Sequence, residues 1–149
     1  MSDDHPLSEK SSIGAAGLRS LGSKATTYQY TEPTKEILET FPNPHPVNSY
    51  QISLVTNEFT SLCPKTGQPD FAKLEIRYWP DEKCVETKSL KLYLFAFRQY
   101  GAFMEDLTNK ILNDLVSVLR PKKIVIIGQF VSRGGITLDV TAEWEKPAD

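Results

Sequence analysis

From Tyr50 onward the chain falls into blocks whose apolar residues recur every second position or every third and fourth. Each block ends at turn residues. "YQISLVTNEFTSL" alternates as a strand does, and "FAKLEIRYW" does so cleanly, with Ala72, Leu74, Ile76 and Tyr78 on one side. Lys73, Glu75 and Arg77 occupy the other side, which predicts a half-buried strand stopped by Pro80-Asp81. "KSLKLYLFAFRQYG" fits either period, and its length together with Gly101 favours a helix. In "FMEDLTNKILNDLVSVLR", Leu107, Ile111, Leu115 and Val118 define a helical stripe closed by Pro121. "KKIVIIGQFVS", the turn "RGG" and "ITLDVTAEWE" predict a final hairpin. The order ββααββ implies an α+β fold: an antiparallel four-stranded sheet with two helices on one face.

Upstream the pattern fades. Residues 1–25, rich in Ser, Gly, Ala and charge, read as a mobile tail. Residues 26–48 form an arm whose four prolines in "TEPTKEILETFPNPHPVNS" leave room for one helical turn around Lys35 to Thr40. That arm is expected to lie on the domain surface or on a neighbouring subunit. Residues 49–149 make a single domain, in keeping with a chain of 149 residues. A formal net charge of −2 argues against a nucleic-acid partner. The absence of any apolar run of about 18 residues argues against a membrane span. "MSDDHPLSEKSS" has acidic residues where a secretory signal needs a basic start. Two cysteines make no disulfide framework, so the expected setting is the reducing cytoplasm.

The candidate chemistry centres on Cys63. "CPKTGQPD" holds two prolines and a glycine, so its backbone turns and presents the thiol. A free thiol is only a few per cent ionised near neutral pH and needs a base or positive charge beside it to act as a nucleophile. Asp70 across the turn fills that need if burial raises its pKa. The residues alone leave Cys63 open as nucleophile or structural turn cysteine, and Cys84 reads as a small buried hydrophobe or an incidental surface thiol. Only His5 and His45 are present, which disfavours a Cys-His hydrolase. The chain also lacks CxxC and HxH metal spacings and the GxGxxG and GxxxxGK[ST] nucleotide motifs. A phosphate would have to be met by Lys88 and Lys91, one helical turn apart, or by "RGG" at 133–135. For such basic residues the plain alternative is solvated surface.

"LETFPNP", "EFTSLCPKTGQPDF", "VETKSLKLYLFAFR" and "RGGI" together resemble the single-module NADPH-dependent 7-cyano-7-deazaguanine reductases of queuosine biosynthesis, nitrile reductases of the tunnelling-fold superfamily. The resemblance runs from about Leu38 to Val140. It implies that Cys63 attacks the substrate nitrile to form a covalent thioimide and that Asp70 manages the protons. It further implies that Val85, Glu86, Thr87, Met104 and Glu105 bind the deazaguanine, and that Thr87, Lys88, Arg133 and Gly134 contact NADPH, with no metal. It also implies a homodecamer of two pentameric rings with sites between subunits. Two positions depart from the family pattern. Thr87 replaces Ser or Leu and keeps the hydroxyl of Ser, whereas Met104 replaces a histidine expected to transfer protons, which a thioether cannot do. Met104 is therefore expected to leave thioimide formation intact and to slow reduction, and a homologue or variant that captures the nitrile without completing reduction is the alternative reading. A tunnelling-fold cyclohydrolase acting on a pterin or GTP is a third, disfavoured by the missing zinc ligands.

Overall fold

A computed structural model of the chain describes residues 17, 18, 28, 30 and 32–149. The strands are Thr40–Pro42 (β1), Ile52–Leu62 (β2), Pro69–Trp79 (β3), Lys83–Val85 (β4), Lys123–Arg133 (β5) and Ile136–Glu145 (β6). The helices are Thr87–Phe95 (α1) and Met104–Leu119 (α2), preceded by a 3-10 turn at Lys35–Ile37. The main sheet has the order β2-β3-β5-β6, every neighbour antiparallel.

The alternation in β3 sorts its side chains as the sequence predicts. Ala72, Leu74, Ile76 and Tyr78 are each at most 2% exposed, whereas Phe71 and Lys73 face solvent. β5 places Ile124, Ile126 and Phe130 on the same inner face. The α2 stripe of Leu107, Ile111 and Leu115 is buried there too, extended by Leu112 and Leu119, while Val118 is half-buried. α2 packs on β5 and β6, and α1 packs on β2. Gly128 sets the clearance between α2 and the sheet: a Cβ there would stand 2.9 Å from Phe130 Cε2 and 3.0 Å from Thr108 Oγ1. Arg120 ends α2 in the left-handed conformation (φ 46°). Pro121 prevents the helix from resuming.

Three expectations change. α1 stops at Phe95, short of Gly101, and residues 96–100 continue as turns tied by hydrogen bonds such as Tyr100 N to Phe97 O (3.0 Å). The helical turn of the arm covers Lys35–Ile37, and Thr40 instead begins β1, which pairs with β4 in a second, two-stranded sheet. Leu38, Glu39 and Asn43 are buried, so from Leu38 the arm is woven into the fold rather than laid upon it. The expected tail lies outside the described residues apart from positions 17 and 18.

Candidate active site

β2 ends at Leu62, and Cys63 opens the connection to β3. The Cys63 N–H donates to Gln68 O (2.8 Å), and its carbonyl accepts from Gly67 N (2.9 Å). Gly67 has a φ of 70°. That left-handed conformation makes glycine the natural residue there. Thr66 Oγ1 accepts from Gln68 N (3.2 Å). Such a bond is a local side-chain turn. The same hydroxyl is the largest influence on the Cys63 thiol, followed by the backbone amides of Thr66 and Lys65, with a smaller hydrogen bond from Arg133. Together they lower its pKa to about 6. The sulfur is therefore mostly thiolate at neutral pH.

Asp70 stands one strand away, 5% exposed. Burial raises its pKa and the Arg133 charge opposes the rise, so desolvation dominates. Arg133, at the end of β5, ion-pairs with Asp70. It is positioned by the two-residue turn Gly134-Gly135, with φ values of 56° and 79°. Positive φ at both positions fits a hairpin of the primed type. Thr60 Oγ1 donates to Asp70 O (2.7 Å). Ser61, opposite Asp70 in the register, is fully buried, and its hydroxyl is unpartnered among the described residues. Thiolate, carboxyl and guanidinium thus meet at one end of the sheet. Arg133, expected at a cofactor, is ion-paired with the Asp70 carboxyl in this structure.

The lead-in to α2 is stitched to the same end, Leu62 N donating to Tyr100 O (3.0 Å) and Ala102 N to Leu62 O (3.2 Å). Met104, half-buried, and Glu105, exposed, follow in the first turn of α2 and so begin beside the cysteine turn. Val85, Glu86, Thr87 and Lys88 lie elsewhere. Val85 N donates to the Tyr78 hydroxyl (3.1 Å), and Tyr78 pairs with Ile52 at the far end of the sheet. The strand from Asp70 to Tyr78 spans about 26 Å. Glu86 is buried and caps α1, Oε1 accepting from Lys88 N and Oε2 from Ser89 N, each at 2.7 Å. A carboxylate in that place satisfies two of the helix's orphan amides. The Glu86 N–H is held by Glu39 O (2.9 Å), which ties the buried arm to this second cluster. Thr87 and Lys91 border an apolar cleft between β2 and α1, lined also by Leu54, Leu90 and Leu94, and Lys91 Nζ lies 5.7 Å from the centre of the Tyr28 ring. Cys84 is buried, 3.8 Å from the Tyr50 hydroxyl at the Glu86 end. A Cys63–Cys84 disulfide within one chain is therefore precluded. His45, whose N–H donates to Asn43 Oδ1, is at that end too.

The sequence reading missed Thr66 and Ser61. For Thr66 a signal existed, a hydroxyl residue before glycine in a turn, whereas Ser61 acquires meaning only from its register with Asp70.

The QueF-like protein family model matches residues 69–149. Proteins named NADPH-dependent 7-cyano-7-deazaguanine reductase are similar over most of their length. That of Thermomicrobium roseum is 52% identical over 119 residues, 80% of this chain and 92% of that protein. Those of Neisseria meningitidis (52% over 130 residues, 87% and 82%) and Bacillus subtilis (50% over 131 residues, 88% and 79%) are comparable. Among solved structures, the archaeosine synthase QueF-Like in its apo form matches with a TM-score of 0.60 over 66% of this chain and 96% of that one; at 18% identity the likeness carries the fold alone. With half its residues shared across most of both lengths, the chain belongs to the QueF-like family of NADPH-dependent 7-cyano-7-deazaguanine reductases.

Proposed function

We propose that the protein reduces the nitrile of 7-cyano-7-deazaguanine to the aminomethyl group in queuosine biosynthesis, with two NADPH and a covalent thioimide on Cys63. The observation that carries this reading is a largely ionised thiolate beside a buried carboxyl whose pKa is raised. Attack of the Cys63 sulfur on the nitrile carbon forms a C–S bond and moves one π pair to nitrogen, which takes a proton. Asp70 accepts the proton of any neutral thiol and returns protons to the nitrogen. Bound NADPH supplies the two hydrides that take this carbon to the amine, the Cys63 sulfur departing with its electron pair after the first.

The residues present suit a dinucleotide phosphate. Arg133 Nη2 is buried without a well-aligned hydrogen bond among the described residues, and Gly134 and Gly135 leave open space where a side chain would stand. Lys88 and Thr87 are the second cofactor group. Glu105 and Glu86 accept from the guanine-like ring edge; a carboxylate has about four acceptor positions, so Glu86 can cap α1 and still bind a ligand.

We assign the assembly to a ring, two pentamers face to face. β2 and β6 are the edge strands of the four-stranded sheet among the described residues, and Val55, Phe71 and Val131 leave apolar surface on its outer face. The Cys63 and Glu86 groups, at opposite ends of one chain, form one pocket when the Glu86 end of one subunit meets the Cys63 end of the next. Free cysteines at 63 and 84 suit the cytoplasm.

The test is NADPH oxidation in the presence of the nitrile, with intact mass recorded. Steady oxidation with an adduct on Cys63 is expected. An adduct without oxidation would establish the capture reading, for which Met104 in place of a proton carrier is the motive. Neither signal would overturn both.

A further inference from the structure

The Asp70 carboxyl has two neighbours of opposite kind. On the β5 side it meets the charged Arg133, and on the β2 side it faces Ser61, fully buried, with a hydroxyl that bonds to none of the described residues. Arg133 is itself incompletely satisfied. Its Nη2 is buried and touches Asp70 Oδ1, yet makes no well-aligned hydrogen bond among the described residues, while the side chain as a whole is 36% exposed. Next to it, a Cβ on Gly134 or Gly135 would meet no described atom within 4 Å. A guanidinium held by the Asp70 carboxylate and, more weakly, by the Cys63 sulfur, and still partly open to solvent, can be claimed by a second anion.

We propose that an anion at the Gly134-Gly135 turn draws Arg133 away from Asp70, and that the Ser61 hydroxyl then becomes the carboxyl's partner. The inference rests on the cofactor reading above, with a dinucleotide phosphate as the anion. It orders the proton chemistry. Before the cofactor binds, Arg133 favours the carboxylate form of Asp70, which can accept the thiol proton. Once the guanidinium has moved, a buried carboxylate without a counter-ion takes up a proton, and this is the form that can protonate nitrogen. A serine hydroxyl both donates and accepts, so Ser61 can bond either form. The charged and titratable groups nearest Asp70 along the chain and register are Lys73 of β3, exposed on the opposite face of the strand, Cys63 and Lys65 of the turn, Arg133 of β5, and Glu105 and Asp106 opening α2. Of these, Arg133 is ion-paired with Asp70. Cys63 is largely insulated from the exchange, because Thr66 and the turn amides outweigh Arg133 there. Ser61 and Arg133 are thus positioning residues for Asp70.

Infrared difference spectroscopy of the carboxylic-acid band reads this directly, with Asp70→Asn as the assignment control. The probe is NADP+, which carries the phosphates and no hydride. Saturating NADP+ is expected to raise the Asp70 midpoint by about one pH unit or more. In Arg133→Gln the midpoint starts high and NADP+ moves it no further, and Arg133→Lys restores part of the response. Ser61→Ala enlarges the rise in the NADP+ complex while leaving the free protein unchanged. If NADP+ binds, read by calorimetry, and the wild-type midpoint stays put, the exchange is refuted. An Arg133→Gln protein that titrates like wild type refutes it equally, and Ser61→Ala matching wild type in both states removes Ser61 from it. If NADP+ does not bind at all, the cofactor reading falls as well, which separates the two failures.

Discussion

Thr66→Val is the sharpest probe of how the turn activates Cys63. The thiol is lowered from 9.0 to about 6 by four attractions, with the Thr66 hydroxyl first, then the Thr66 amide, the Lys65 amide and Arg133. Four contributions share at least about three pH units, so the largest supplies no less than about three quarters of a unit, and Thr66→Val should move the midpoint to roughly pH 7. At about pH 6 the thiolate fraction would then fall from about one half to about one tenth, a roughly fivefold slower attack, while at high pH the two proteins converge. The assay is the rate of iodoacetamide alkylation of Cys63 across the titration, with thioimide absorbance on adding the nitrile as a second readout. Thr66→Ser keeps the hydroxyl and should follow wild type. The reasoning fails if Thr66→Val titrates at the wild-type midpoint with its circular dichroism unchanged. The amides alone would then set the thiol.

Asp70 makes a prediction about stability as well as rate. Burial raises its folded pKa above the unfolded value, so the contribution to stability is fullest at low pH and is lost as pH rises through the folded pKa. Asp70→Asn, neutral throughout, should flatten that slope in melting temperature against pH while slowing reduction by about a hundredfold to ten-thousandfold. Met104→His should raise NADPH oxidation by about a hundredfold or more without altering thioimide formation, and no gain would mean the proton arrives by another route. Glu86→Ala removes the α1 cap and should lower stability by about 1 kcal/mol in urea unfolding. Mixed and reassembled with Cys63→Ala, it should regain activity that neither variant has alone; no recovery in mixed oligomers would rule out sites shared between subunits.

How much of this was legible depended on distance along the chain. β3 and α2 announced themselves because their periods are long and one face is buried, so Ala72 to Tyr78 and Leu107 to Leu115 could be placed by counting. β1 and β4, three residues each, are too short to show a period, and their pairing is fixed by tertiary contacts such as Asn43 N to Glu82 O (2.8 Å). The nearness of Cys63 and Asp70 was readable, since one hairpin connects them. The pairing of Asp70 with Arg133 was not, because β5 joins β3 only after both helices have intervened. Motif resemblance named Glu86 as a site residue but could not place it at the far end of the sheet, which the register does.

One absent methyl group has a reach beyond packing. Thr108, the near neighbour of any side chain added at Gly128, bonds back to Met104 O (3.1 Å), so crowding there would tilt the opening turn of α2. That turn carries Met104 and Glu105. With Met104 and Glu105 at the substrate as proposed, substitution at Gly128 would retune the chamber from beneath, and an engineer seeking a reductase for bulkier nitriles would have a dial in the floor as well as in the walls.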